Sequence, residues 1–285
     1  MGGKKWATRF ALAAAFAYAA AKVAGRWRKA DLRGEVAVIV GGSRGLGLMI
    51  ARELAAAGCR LVIGARDVDQ LRVAQRDLEA RGAEVLIWPC DVGNRRDIDL
   101  LVAEAGERFG RIDILVNVAG LIQVGPAESM TIDNFRDAFA VNFWGPLHAM
   151  DAVIAQMQER GHGRIVNITS IGGELPVPHL LPYVAAKAGL AGLTRNAAHA
   201  HRWDRIRING VNIGWTDTEG EDAIQRAFHG AGDDWREQAA KTQPMGKLGQ
   251  VDEIAEFVVF LLSDRSGVVT GSVIDWDQIV FGGLD

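Results

Sequence analysis

From Glu35 onward, short apolar runs alternate with longer helical patterns, and this alternation leaves few folds open. The runs are EVAVIV (35–40), RLVIGA (60–65), AEVLIWP (83–89), IDILVNVAG (112–120), GRIVNITS (163–170), RIRINGVNI (205–213) and GSVIDWD (271–277). Their apolar residues are mostly continuous, as in strands buried on both faces. Between them lie helical patterns at 46–58, 67–82, 94–110, 131–160, 181–201 and 251–263. Asp67 is a candidate N-cap for the second. The sequence therefore predicts an α/β fold with one parallel sheet of about seven strands, covered by helices on both faces. There is no repeat, no low-complexity linker and no second core. The expected body is one domain over 35–285, and its size suffices for a full core.

A TIM barrel also alternates, so the first turn has to decide. After the first run comes VGGSRGLG, residues 40–47, leading straight into a helical pattern. Gly41, Gly45 and Gly47 stand where a strand turns sharply into a helix. Without β-carbons the main chain can approach a pyrophosphate, and the helix N-terminus supplies free N–H groups and positive potential. This context favours a Rossmann-type doubly wound sheet. The second strand then ends Gly64-Ala65-Arg66, where a carboxylate for the 2′-hydroxyl of NAD is expected. Arg66 can instead fork onto a 2′-phosphate, with Arg44 as a second charge. NADP(H) is therefore preferred over NAD(H), although Asp67 follows directly.

These residues resemble the short-chain dehydrogenase/reductase family from about residue 35 to the end. VGGSRGLG resembles the family's TGxxxGxG turn, with Val40 where threonine is usual; Ser43 and Leu46 lie within it. CDV (90–92) resembles the Asp-Val pair near the adenine, which implicates Asp91 and Val92. VNVAG (116–120) resembles NNAG, implicating Asn117, Ala119 and Gly120, with Val118 replacing the second asparagine. VNFWG (141–145) supplies the helix asparagine, Asn142. Ser170 ends the fifth strand, and Tyr183 and Lys187 form YxxxK. VNIGWTDT (211–218) resembles NPGxxxT, implicating Gly214, Thr216 and Thr218, with Ile213 in place of proline. Loss of the bracing side chains at positions 40 and 118 implies turns of altered rigidity. The ending VIDWDQIVFGGLD departs from the VDGG-like end of many relatives.

The chemistry follows from the residue types. A hydride moves between C4 of the nicotinamide and a carbonyl carbon, and the alkoxide that develops needs a proton. A free phenol has a pKa of about 10. Lys187, one turn from Tyr183, puts a positive charge nearby and should lower it. Ser170 can hydrogen-bond the carbonyl oxygen. The resemblance further implies that Lys187 holds the ribose hydroxyls and that Asn142 anchors a water in a proton relay. Tyr183 and Lys187 would thus touch cofactor as well as substrate. The resemblance also implies that the segment 214–245 closes over the substrate. It carries Trp215, Phe228 and Trp235, and Trp144, Leu180 and Leu181 lie close to the catalytic motifs. They suit an apolar, fairly bulky ketone or alcohol, or else core and interface packing.

Residues 1–34 form a separate object. They hold eight Lys or Arg against one acid, Asp31, giving +7, so the rest carries −10 of the net −3. An acidic body argues against a nucleic-acid binder. FALAAAFAYAAA (10–21) is short for a membrane span, which needs about 20 apolar residues. It reads as an extra N-terminal helix packed on the body or a neighbour, a membrane-surface anchor, or a cleaved targeting segment. Cys59 and Cys90 suggest neither a disulfide framework nor a metal site, and a cytoplasmic setting, membrane-associated if the anchor reading holds, is expected. His199 and His201 do not share a helix face, so no metal is expected. The expectation is an NADPH-dependent carbonyl reductase or alcohol dehydrogenase, homo-oligomeric (dimer or tetramer) by family resemblance. The alternatives are a catalytically silent NADP-binding sensor or scaffold, another enzyme on a similar sheet such as a methyltransferase, and a membrane-tethered reductase of lipid-like substrates.

Overall fold

Seven strands form one parallel sheet in the order β3-β2-β1-β4-β5-β6-β7 in the computed structural model, which describes residues 30–280. In chain order the elements are β1 (Val36–Val40), α1 (Gly45–Ala56), β2 (Arg60–Ala65), α2 (Val68–Ala80), β3 (Val85–Pro89), α3 (Arg95–Phe109) and β4 (Ile114–Asn117). They continue with α4 (Ile132–Phe139), α5 (Gly145–Arg160), β5 (Gly163–Ser170), α6 (Leu181–His201) and β6 (Ile206–Ile213). Last come α7 (Glu219–His229), α8 (Trp235–Lys241), α9 (Val251–Leu262) and β7 (Val273–Trp276). Chain order reverses between β1 and β4, the switch point at which ligands bind in doubly wound sheets. The compact body begins at Leu32, which is 1% exposed. The three readings of the N-terminal segment concern residues that lie, up to residue 29, outside the described ones. Among the described residues no helix is long and apolar enough to cross a membrane.

The strands are where continuous apolar runs must be. Every residue of β1, β4 and β5 is buried. Each buried Val or Ile is worth about 1.5–3 kcal/mol over an exposed one, so the sheet is held from both faces. The register brings the strand ends to one edge: Val40 pairs with Gly64 and Asn117, and Ser170 pairs with Ile213, itself opposite Trp276. Asp67 does cap α2, its Oδ1 accepting from the N–H groups of Asp69 (2.9 Å) and Gln70 (3.0 Å).

Two regions depart from the sequence reading. The helical region over 131–160 is not continuous: α4 passes through a π-helical turn, Ala140–Trp144, into α5. Pro146 has no N–H to give the carbonyl of Asn142 four residues back, so the α-type ladder breaks there. The segment 214–245 is also more ordered than the long connection read from sequence, because it contains α7 and α8. Thr218 starts α7, its Oγ1 accepting from the Glu221 N–H (3.0 Å).

Candidate active site

A cleft of about 460 Å³ opens along the carboxyl edge of the sheet. One wall is the glycine turn. Gly41 has φ +98°, and a β-carbon there would lie 2.6 Å from the Ala119 nitrogen. A β-carbon at Gly47 would lie 2.1 Å from the Gly41 oxygen. Only glycine fits either position. The bracing side chains missing at Val40 and Val118 are replaced by main chain. The Val40 carbonyl accepts from the N–H groups of Val118 (3.0 Å) and Ala119 (2.8 Å), and the Gly41 N–H donates to the Gly64 carbonyl (2.8 Å). Both valines pack: Val40 is buried, and Val118 lies against Gly47.

The cleft faces a helix start made for an anion. α1 has no side-chain cap and no acid in its first turn, so its leading N–H groups stay available. Arg44 and Arg66 both line the cleft and have no acidic partner among the described residues. Asp67 lines it too, but its carboxylate is engaged by the start of α2. Asp91 sits below, with Oδ1 accepting from the Gly93 N–H (3.0 Å). A nicotinamide dinucleotide fits this donor set, and an open space beside Gly45, where a β-carbon would meet nothing within 4 Å, leaves room for its pyrophosphate.

At the inner end stand Tyr183 and Lys187, one turn apart on α6, with Ser170 at the end of β5. Tyr183 is 8% exposed and Ser170 9%, and the Ser170 Oγ, which accepts from the Gly172 N–H (3.2 Å), is near enough to the phenol to influence its titration. Burial pushes the phenol above its ordinary value, the Ser170 hydroxyl pulls it down, and Glu221 on α7 pushes it up. The sequence argument expected Lys187 to lower it. Burial sets the direction instead, and the lysine is itself desolvated, its pKa lowered to about 8. Lys187 Nζ donates to the Ile168 carbonyl (2.8 Å) and lies 5.7 Å from the Tyr183 ring centre.

The other expected residues divide. Ser43, Leu46, Val92, Gly120 and Thr218 line the cleft with the turn residues already named. Ser170, Asn142, Asn117, Gly214 and Thr216 do not, Ser170 lying just behind the lining at the end of β5. Asn142 is fully buried in the π-helical turn and props the loop after β4: its Nδ2 donates to the carbonyls of Leu121 (2.8 Å) and Ala138 (3.0 Å), and its Oδ1 accepts from the Leu121 N–H (3.2 Å). Asn117 Nδ2 donates across the sheet to Asn167 (2.8 Å). Gly214 packs against Asp277, and Thr216 Oγ1 folds back onto the Gly214 carbonyl (2.9 Å). Sequence reasoning missed Gln70, Ile122, Val141, Ile168 and Glu219 as lining residues. Ile168 lies on β5 and the others on a helix face or loop, and no local motif reveals which of them face the cleft. Cys90 also lines the cleft; burial pushes its thiol up to about 12, so it is not a thiolate.

The segment 214–245 has its own small core. Trp215 and Trp235 stack with ring centres 6.4 Å apart, and Trp235 is buried with Ala239 and Leu248. Their indole N–H groups donate to Glu221 (2.7 Å) and Asp222 (2.7 Å). The Trp235 N–H and the Arg226 guanidinium hold the Asp222 carboxyl down at about 2. These two tryptophans therefore pack the segment itself. Phe228, Leu181 and Trp144 remain exposed.

Comparison with known proteins agrees with this geometry. A family profile described as Enoyl-(Acyl carrier protein) reductase matches residues 40–278. The chain is 35% identical over 246 residues to the (2S)-[(R)-hydroxy(phenyl)methyl]succinyl-CoA dehydrogenase subunit BbsD of Thauera aromatica, covering 85% of this chain and 95% of that one. It is 33% identical over 254 residues to gluconate 5-dehydrogenase of Gluconobacter oxydans, covering 89% and 96%. Among solved structures, a point variant of actinorhodin polyketide ketoreductase with NADPH superposes with a TM-score of 0.82 at 32% identity, covering 86% of this chain and 96% of that one.

Proposed function

The chain belongs to the short-chain dehydrogenase/reductase family, and from that premise we propose that it is an NADPH-dependent reductase of apolar ketones or aldehydes. The family binds a nicotinamide cofactor, and its members here include dehydrogenases and a ketoreductase. One observation carries the reading. A buried Tyr183–Ser170 pair stands one helical turn from a buried lysine, at the inner end of a cleft whose outer end is a glycine turn flanked by two arginines without acidic partners among the described residues.

When bound, the cofactor supplies the hydride. Tyr183, held protonated by burial, donates its proton to the carbonyl oxygen as charge develops there. Ser170 shares that oxygen's hydrogen bonding and fixes its direction. Lys187 retains a proton near neutrality, holds the nicotinamide ribose hydroxyls and stabilises the phenolate left behind. The carbonyl of Asn142, denied an α-helical donor by Pro146, is the place for a water that leads a proton back toward Lys187. Arg44 and Arg66 take the 2′-phosphate, which favours NADPH over NADH. Ile122, Val141, Ile168 and Ile213 in the cleft support an apolar substrate. Self-association through α4 and α5 is supported by the exposed Trp144 between them. A cytoplasmic location is supported by two buried, unpaired cysteines.

The test is side-by-side oxidation of NADPH and NADH against aliphatic, aryl and polycyclic ketones and aldehydes, with Tyr183→Phe as the blank. Turnover is expected with NADPH and to fall by about 10³-fold in the variant, the middle of the range for a lost general acid. NADPH affinity, from fluorescence titration, should stay unchanged. Arg66→Ala is expected to raise the NADPH Kd about tenfold, the value of one charge-assisted hydrogen bond, and to leave NADH alone. Equal losses for both cofactors would remove the phosphate clamp from this reading.

A further inference from the structure

The tail after β7 touches both roots of the segment 214–245. At the first root, Gly214 donates its N–H to the Trp276 carbonyl (3.3 Å). The Gly214 main chain lies so close that a β-carbon there would meet the Asp277 Cα at 2.7 Å. At the second root, the Gln278 side chain makes two hydrogen bonds. Its Oε1 accepts from the Met245 N–H (2.8 Å), and its Nε2 donates to the Lys247 carbonyl (2.8 Å). The roots are also joined to one another: the Gly249 N–H donates to the Trp215 carbonyl (2.8 Å), and the Asp217 N–H to the Gly249 carbonyl (2.9 Å). Gln278 holds φ at +68°, one of two non-glycine residues with positive φ among the described residues. Such a backbone persists where its surroundings over-determine it, and this side chain has a reason to be aimed.

We propose that Gln278 is a positioning residue: its side chain fastens the second root of the segment 214–245 to the tail whose Trp276 and Asp277 hold the first root, and so sets how that segment rests over the substrate. This rests on the reading of 214–245 as the cover of the substrate side. The small Trp215–Trp235 core and the Asp222 cluster make α7 and α8 move as one piece. A piece of that kind is placed by its roots, and the tail holds both.

Gln278→Asn tests the clamp without breaking the fold. Asparagine tolerates positive φ and keeps the amide, but is one methylene too short to reach both partners. Hydrogen exchange of the whole protein is measured by mass spectrometry, with NADPH Kd, and with KM and kcat for a ketone. Exchange in α7 and α8 should quicken while the strands keep their protection. KM should rise about fivefold, the value of one neutral hydrogen bond, with kcat and NADPH Kd unmoved. Gln278→Glu, which can accept from Met245 but offers Lys247 no N–H, should give a smaller change in the same direction. Unchanged exchange in α7 and α8, or faster exchange throughout the sheet, overturns the proposal. A wild-type enzyme inert toward every ketone would sink the proposed function instead, and the exchange result would still decide the clamp.

Discussion

At the glycine turn the wall of the cleft is main chain, and over the substrate side it is side chain. The Val40 carbonyl, the Gly41 N–H and the packed approach of Gly47 to Gly41 shape the turn with scarcely a functional group involved. Across the cleft, the segment 214–245 is shaped by two stacked indoles, a carboxylate with three donors and a glutamine from the tail. The first construction has one conformation, because no β-carbon can enter it. The second has a set position only while its side-chain contacts last. One end of the cleft is therefore suited to an invariant group such as a pyrophosphate, and the other to a covering that varies with the substrate.

If that contrast is right, the largest single effect belongs to Gly47→Ala. The new β-carbon would sit 2.1 Å from the Gly41 oxygen, so the turn must move. Overpacking of this kind costs about 3 kcal/mol, on the order of 100-fold in affinity if the strain falls on the bound state. NADPH titration should show that loss, and KM for the ketone, measured at saturating NADPH, should barely change. Wild-type NADPH affinity in this variant would mean that the turn is not the cofactor's seat.

Trp235→Ala attacks the other end. Removing a buried tryptophan costs about 3–5 kcal/mol where the loss is felt globally. Here the cluster it supports is small and peripheral, so local unfolding of α7 and α8 should absorb much of the loss. The expected signature is a KM raised about tenfold, faster exchange confined to those helices, and unchanged NADPH affinity. A matching drop in cofactor affinity would show that the two ends are coupled and that the comparison is too sharp.

The same contrast explains what could be read in advance. The strands, their order of appearance, the glycine turn and the placing of Tyr183 and Lys187 on one helix were legible because each rests on local rules: continuous Val and Ile, missing β-carbons, one helical turn of spacing; Ser170 came only through the family resemblance. Asn142 was legible as a residue and not as a geometry. Its site depends on a π-helical turn that only Pro146 hints at. Asn117 and Thr216 show the converse, local matches whose side chains the fold turns to other partners. Trp215 and Trp235 stood open between pocket wall and core or interface packing, because composition cannot say which neighbour an indole will choose. Gln278 was beyond reading, since its partners lie 31 and 33 residues away in sequence. The direction of the Tyr183 shift needed the burial of both Tyr183 and Lys187, which no spacing states.

The smallest effect should come from Asp277, the residue that seats the clamp. It is 6% exposed; its Oδ1 accepts from the Ile279 N–H (2.8 Å), and its Oδ2 is buried without a partner among the described residues. Burial raises its pKa, the Ile279 N–H lowers it, and the carboxylates of Asp275 and Glu174 raise it further. A carboxyl whose folded pKa lies above its unfolded value adds stability below the unfolded value and loses it as pH rises through the folded one. At pH 7 the charged group is therefore a burden. Asp277→Asn should raise the unfolding free energy by about 1 kcal/mol, the lower range for one unsatisfied buried polar group. The gain should be present at pH 7 and shrink as pH falls through the carboxylate range, as urea unfolding at the two ends of that range would show. NADPH Kd and ketone KM should hold. A variant less stable at neutral pH, with the wild-type advantage disappearing in acid, would mean that the Asp277 charge has a partner and that charge, as well as shape, holds the roots of the substrate cover.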